Sequence, residues 1–423
     1  MSQFSPISSD RLSSRLSPAR IALPALLVAA TLGVLTTGCG GGPAYVYAVG
    51  PCYTYGCGYG YGYGYGYIST YAGTGVHGNS GNGGAAVKAQ LDRPVSLTVD
   101  PSGNLFIADS ASNTVREVAV STGLINDAST ASASATSSLR SSITSATNFN
   151  HPAAIALDPA GNLYVLDQAS SAIRRVSANT GTLALVAGSA LGRAGFSGDN
   201  GQATSSQLSS PSGMAFDASG NLFIADTGNH RIREVAATTG MITTIAGTGA
   251  AGFSGDGGLA AAAQLSSPSA VAVDAKGNLY IADSGTSTIR KIDTHTGLIS
   301  TVAGTGVAGF SGDSAAATSA QLNAPQGITV DSFGNLFISD TGNQRVREVA
   351  TGTGIITTVA GNSAQGYSGD GKASAQAALN APYATAVDAS GNLYIADSGN
   401  AVIRKVLPNP QTTQTAQTSS NNM

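Results

Sequence analysis

An aspartate recurs at positions 109, 167, 226, 283, 340 and 397, each time closing a string close to Gly-Asn-Leu-Phe-Ile-Ala-Asp. The steps between them are 58, 59, 57, 57 and 57 residues. A chain that repeats one supersecondary unit six times at a nearly fixed period folds as a solenoid or a closed array, because each unit buries its apolar face only against its neighbours.

Within a unit, four short apolar runs alternate with turn residues. In the fourth unit they are SAVAVD (269–274), LYIAD (279–283), STIRKI (287–292) and LISTVAG (298–304). Runs of five to seven residues rich in Val, Ile and Tyr, partly alternating and separated by Gly and Asn, have strand chemistry. No helical period of useful length appears among them. Four antiparallel strands repeated six times predict an all-β, six-bladed β-propeller of four-stranded blades. A solenoid requires distinct caps at both ends. Here the last unit ends instead after three strands, at AVIRKV (401–406), while a fourth-strand string, YISTYAGTG (67–75), stands alone near the start. Its likeness to LISTVAGTG (298–306) predicts that strand 67–75 completes the last blade and closes the ring, leaving no open edge.

Two units, DASGNLFIADTGNHRIREV (217–235) and DSFGNLFISDTGNQRVREV (331–349), resemble NHL repeats, whose blades carry an Asp-x-x-Gly-Asn-Leu turn, an Ala-Asp-Ser/Thr-Gly-Asn turn and Arg-containing strands. The resemblance covers about residues 67–407. NHL propellers act as RNA binders, protein scaffolds, sensor domains and lyases, so it implies a fold without choosing a function.

Charged residues make up only 10% of the 423, and the net charge of −3 gives no basic footprint for nucleic acid. At 42% hydrophobic, the chain can bury a substantial core under a surface of Ser, Thr, Asn, Gln and Gly. Residues 1–38 read as an export signal: Arg11, Arg15 and Arg20 precede the apolar run IALPALLVAATLGVL (21–35). The small residues before Cys39 resemble a bacterial lipoprotein signal, which implies lipidation of that cysteine; Thr36 departs from the motif, and a plain cleaved signal or a retained anchor is the alternative. Residues 39–66 form a Gly/Tyr-rich tether in which Cys52 and Cys57 are placed to form a short disulfide loop. Residues 408–423 read as a disordered polar tail.

A residue present in every blade is more readily architectural than catalytic. The aspartates at 100, 158, 217, 274, 331 and 388, and those at 109 to 397, are expected to accept backbone N–H groups in adjacent turns. The recurring Arg116, Arg174, Arg233, Arg290, Arg347 and Arg404 are expected to pair with neighbouring turns or blades. GTGVHG (73–78), GTGAAG (247–252) and GTGVAG (304–309) match a dinucleotide fingerprint, yet they lack its βαβ context. The linker motif GFSGD, or GYSGD, offers Asp199, Asp256, Asp313 and Asp370 to calcium, but one carboxylate per loop is a poor set. The expectation is a clip in which Asp caps a short AAAAQL helix and the aromatic plugs between blades.

Candidate partner-binding residues are therefore those aromatics, Phe196, Phe253, Phe310 and Tyr367, together with Arg140, Phe149 and His151, where the linker 131–152 departs from the repeat. His77, His151 and His230 fall on one face. An amidating-type zinc lyase resembles this fold and uses histidines from several blades, so these three are the metal alternative. The reading is a non-catalytic, monomeric binding or scaffolding propeller without cofactor. It is exported to the cell envelope or outside it, held to a membrane only by a lipid anchor, and it engages a protein, peptide or glycan through its loop-rich face. The alternative is a metal-dependent lyase or hydrolase at the mouth of the central channel.

Overall fold

The computed structural model describes residues 66–128 and 149–408. These form six antiparallel blades around a central axis. In the fourth, the strands Pro268–Val273, Leu279–Asp283, Thr288–Asp293 and Leu298–Ala303 run from the axis outward. The other blades repeat this order. The second strand of each blade is buried at all five residues. That is why its sequence is a continuous apolar run: alternate side chains pack against the blades on either side.

The core is accordingly distributed among six blade interfaces. Phe223, Ala225 and Ile232 of blade 3 meet Val271, Leu279 and Ile281 of blade 4, and five equivalent clusters complete the circle. The ring closes as the repeat count predicts. Ile68–Ala72 pairs with Val402–Val406, with Ile68 opposite Val406 and Thr70 opposite Arg404. Ile68 and Ala72 are fully buried.

Each described linker between blades does more than connect them: it lies along the outer edge of the blade it enters. Gly201 and Gln202 pair with Ile242 and Met241, and Ala315 and Ala316 with Ile356 and Ile355. Single bridges do the same elsewhere, at Leu259 with Leu298, Tyr67 with Ala373, and Ala85 with Leu124. Outer strands in five blades thus gain a partner, which blunts the edge. The AAAAQL segments are three-residue 3₁₀ turns rather than helices, without a side-chain cap. The glycines of the GTG strings form tight turns. Gly247 has φ +93°, and a Cβ there would lie 2.3 Å from the His230 carbonyl oxygen, so its role is backbone clearance rather than phosphate binding.

Candidate functional site

The repeated aspartates are architectural, in a different way for each set. Those at 100, 158, 217, 274, 331 and 388 close their own turn: Asp274 Oδ1 accepts the Asn278 N–H at 2.8 Å and Oδ2 accepts its side-chain amide. Those at 109 to 397 reach beyond their turn. Each accepts the backbone N–H of a residue 17 positions earlier in the linker, as Ser266 donates to Asp283 at 2.7 Å. Buried on the second strand, they pin the linker to its blade.

The GFSGD motif departs from the expected clip. Asp256 caps no helix; its Oδ1 accepts from Arg290 at 2.6 Å and its Oδ2 from the Thr301 N–H at 3.1 Å. Asp199 holds Arg233 at 2.7 Å, Asp313 holds Arg347 at 2.7 Å and Asp370 holds Arg404 at 2.6 Å. These four arginines are fully buried, so each linker supplies the counterion that an interior guanidinium needs. Partial burial pushes the Asp256 carboxyl up, but bonds from Thr301 and Arg290 outweigh it and leave it below the usual range. Both oxygens of each of these carboxylates accept from protein donors.

The aromatics lie over the same guanidiniums instead of between blades. The Phe253 ring centroid is 5.0 Å from the Arg290 Cζ, and Phe196, Phe310 and Tyr367 stack likewise on Arg233, Arg347 and Arg404. Their exposure is 41–52%, one on each of blades 3 to 6.

Blade 1 relocates the charge. Asn82 takes the aspartate position and accepts from Arg116 at 3.0 Å, while Asp127 stands opposite Arg116 on the outer strand, where blades 3 to 6 have threonine. Burial pushes the Arg116 guanidinium down, and Asp109 and Asp127 raise it again. Burial also pushes Asp109 up to about 7, although the Asp92 N–H acts against this, and its Oδ2 has no hydrogen-bond partner.

Blade 2 breaks the pattern altogether. Arg174 turns to Asp167 on its own blade, at 2.5 Å, and its side chain is 29% exposed. Leu183 on the outer strand is 39% exposed, whereas Ile68, Ile125, Ile242, Ile299 and Ile356 at the same place are fully buried. Repeat position groups Arg174 with the paired arginines and gives no sign that Leu183 is exposed. The available signal is a spacing: Asp199, Asp256, Asp313 and Asp370 each precede the blade aspartate by 27 residues, and at that distance before Asp167 stands Arg140.

Phe149 is not a surface contact. It is 3% exposed and fills the place of Leu91, Leu208, Leu265, Leu322 and Leu379, all fully buried, in the cluster between blades 1 and 2. His151 is exposed, in a left-handed conformation with φ 56°, and its N–H donates to Asn113 Oδ1 at 2.8 Å. His77 Nδ1 lies 2.8 Å from Asp92 Oδ1. His230 Nδ1 accepts the Ser267 N–H at 3.0 Å, binding blade 3 to blade 4. Each histidine thus has its own local partner, and among the described residues no three His, Cys, Asp or Glu side chains are grouped to hold a metal ion. Cys39, Cys52, Cys57 and Arg140 lie outside the described residues.

The inner strands line a cavity of about 100 Å³. Val95, Ala153, Ser212, Ser269, Gln326 and Tyr383, one from each blade, contribute to its lining, which holds no carboxylate, lysine, arginine or histidine. Two of its hydroxyls are turned onto backbone: Ser212 Oγ donates to the Ser269 carbonyl at 2.8 Å and Ser269 Oγ to that of Pro325 at 2.9 Å.

The family model for the teneurin NHL domain matches residues 73–251 and 248–311, more than half of the chain. The chain belongs to the NHL-repeat family. This NHL propeller is 32% identical over 240 residues to Protein SUPPRESSOR OF QUENCHING 1 of Arabidopsis thaliana, covering 54% of the chain and 22% of that protein. It is 29% identical over 379 residues to chicken (Gallus gallus) teneurin-1, covering 81% of the chain and 14% of that protein. The NHL propeller therefore spans less than a quarter of the length of either relative. Among solved structures, a Bacteroides thetaiotaomicron protein of unknown function superposes with a TM-score of 0.60 at 18% identity, over 80% of this chain and 75% of that one. An auxiliary nutrient binding protein from Bacteroides ovatus gives a TM-score of 0.58 at 17% identity, over 82% and 78%. These two likenesses are of fold.

Proposed function

We propose that this NHL propeller is a non-catalytic binding or scaffolding module, exported and lipid-anchored at Cys39 in the cell envelope, that engages a protein, peptide or glycan through its loop-rich face. The observation that carries this reading is the contrast between its two candidate regions. The central cavity is too small for an ordinary ligand, since such pockets run to about 300–1,000 Å³, and its lining holds no carboxylate, amine, guanidinium, thiol or imidazole. The linkers instead hold exposed aromatic rings on rigid Arg–Asp mounts, as a contact surface requires. The nutrient-binding description of a protein with a similar fold is compatible with a binding role.

The test is crosslinking capture from native envelopes with the wild-type protein and a Phe196→Ser, Phe253→Ser, Phe310→Ser variant that still unfolds cooperatively. A partner retained by the first and lost by the second is the expected result. Equal capture by both, or stoichiometric transition metal with substrate turnover in the purified protein, overturns the reading.

A further inference from the structure

Among the described residues, four of the six seams between blades are spanned by one repeated clip. The residue four positions after the blade aspartate ends the turn between second and third strands. Its side chain accepts the backbone N–H of the residue that precedes the next blade's proline. Asn113 Oδ1 takes the His151 N–H at 2.8 Å and His230 Nδ1 that of Ser267 at 3.0 Å. Ser287 Oγ takes the Ala324 N–H at 3.2 Å and Gln344 Oε1 that of Ala381 at 2.6 Å. All four acceptors share a left-handed backbone, with φ of 53–57°, so the clip is built the same way each time.

Only the chemistry of the acceptor differs. Amide and hydroxyl oxygens keep their lone pairs at any pH the fold meets, and an imidazole nitrogen does not. A Ser267 N–H aimed at Nδ1 requires the proton of the neutral His230 ring to sit on Nε2, and a ring protonated on both nitrogens has only donors to offer. His230 is half-buried, so solvent protons reach it. The charged groups nearest along the chain and across the seam are each already engaged. Asp226 accepts from Asn229 and Arg233, and Arg231 holds the Asn229 and Thr248 carbonyls. On the blade 4 side, Asp283 accepts the Ser266 N–H. His77 and His295 differ, because each stands beside a carboxylate that a protonated ring keeps as partner, Asp92 at 2.8 Å and Asp293 at 4.0 Å.

We propose that His230 is an acid-released clip between blades 3 and 4. Neutral, the ring holds the Ser267 N–H; protonated, it turns a second donor toward that N–H and releases it. The release is local, because Asp283 still holds the Ser266 N–H and Thr227 Oγ1 still donates to the Pro268 carbonyl at 2.7 Å. What loosens is the end of the linker 247–267 against the turn of blade 3, while the clips at Asn113, Ser287 and Gln344 stay closed at the same pH.

The experiment is hydrogen exchange of the full-length protein, read at single-amide resolution. It spans the range in which an imidazole takes up a proton, about pH 8 to about pH 5, with rates corrected for the intrinsic pH dependence of amide exchange. Protection of the Ser267 amide should fall about five-fold at the acid end, the loss of one hydrogen bond, while the Ala324 and Ala381 amides of the same molecule keep theirs. His230→Gln gives blade 3 the acceptor that blade 5 uses at Gln344, and should abolish the acid response while protection at the alkaline end stays at the wild-type level. His230→Ala should lack that protection at both ends. Equal losses at Ser267, Ala324 and Ala381 in the wild-type chain overturn the proposal, and this comparison needs no variant to fold. So does a His230→Gln chain that responds to acid as the wild type does, or a His230→Ala chain that keeps wild-type protection at the alkaline end.

Discussion

Thr70 stands opposite Arg404 across the paired first and last strands, and the two share one carboxylate: Thr70 Oγ1 donates to Asp370 Oδ2 at 2.7 Å and Arg404 to Oδ1 at 2.6 Å. The ring is therefore latched by strand pairing and by a three-residue polar knot. Deleting residues 67–75 removes the buried Ile68 and Ala72 and bares the edge of Val402–Val406. Burial of the isoleucine alone accounts for about 2 kcal/mol, so a fall of about 3 kcal/mol or more in unfolding free energy is expected from urea titration. An unchanged midpoint would refute closure by this strand.

The charge exchange in blade 1 is testable by compensation. Asp127→Asn leaves the buried Arg116 with only neutral partners at the linker and should cost about 2 kcal/mol. Adding Asn82→Asp restores the arrangement of blades 3 to 6 and should recover most of that loss. A double-mutant cycle in urea reads the coupling, and additive effects would contradict it.

Buried aspartates set the pH response. Burial raises Asp283, Asp340 and Asp397 from 3.8 to about 6, and Asp109 to about 7. The folded chain then binds more protons than the unfolded one between those limits, so stability is fullest near the acid end of the window and falls as pH rises through 6 and 7. The depressed carboxyls of Asp256 and Asp370 act oppositely, and their contribution is lost as pH drops below about 4. Asp109→Asn keeps the acceptor for the Asp92 N–H and removes one titration. The decline of the urea midpoint between pH 5 and 8 should become shallower in that variant; an identical pH profile would show that Asp109 does not titrate there.

Two glycines separate conformational cost from collision. Gly83 has φ +81°, and a Cβ added there would meet nothing within 4 Å, so Gly83→Ala should cost about 1 kcal/mol. Gly247→Ala adds the 2.3 Å contact with the His230 carbonyl and should cost about 3 kcal/mol. Thermal melts of the two variants side by side decide the point.

The ring, its blade count and its closure are legible because strand period and repeat length are local properties of the chain. The Arg–Asp pairing is harder to see, since Asp256 and Arg290 are 34 residues apart with two strands between them. The constant offset from Asp199 to Arg233, Asp313 to Arg347 and Asp370 to Arg404 nonetheless encodes it. Phe149 misleads for a related reason. Judged as an aromatic in an unusual linker it suggests a contact, whereas its distance of 18 residues before Asp167 matches Leu265 before Asp283 and marks a core position. Exposure of Arg174 and Leu183 depends on what lies over them, which no periodicity in their own strands records.

The latch also determines how this molecule responds to tension. Gly66 donates its N–H to the Leu407 carbonyl at 3.0 Å, so the two ends of the ring leave it side by side from an antiparallel pair. A force pulling those ends apart loads the pairs Ile68–Val406, Ser69–Lys405 and Thr70–Arg404 one after another, in unzipping rather than shearing geometry. Held by one end only, the ring bears no such load; held by both, blade 6 is its mechanical fuse.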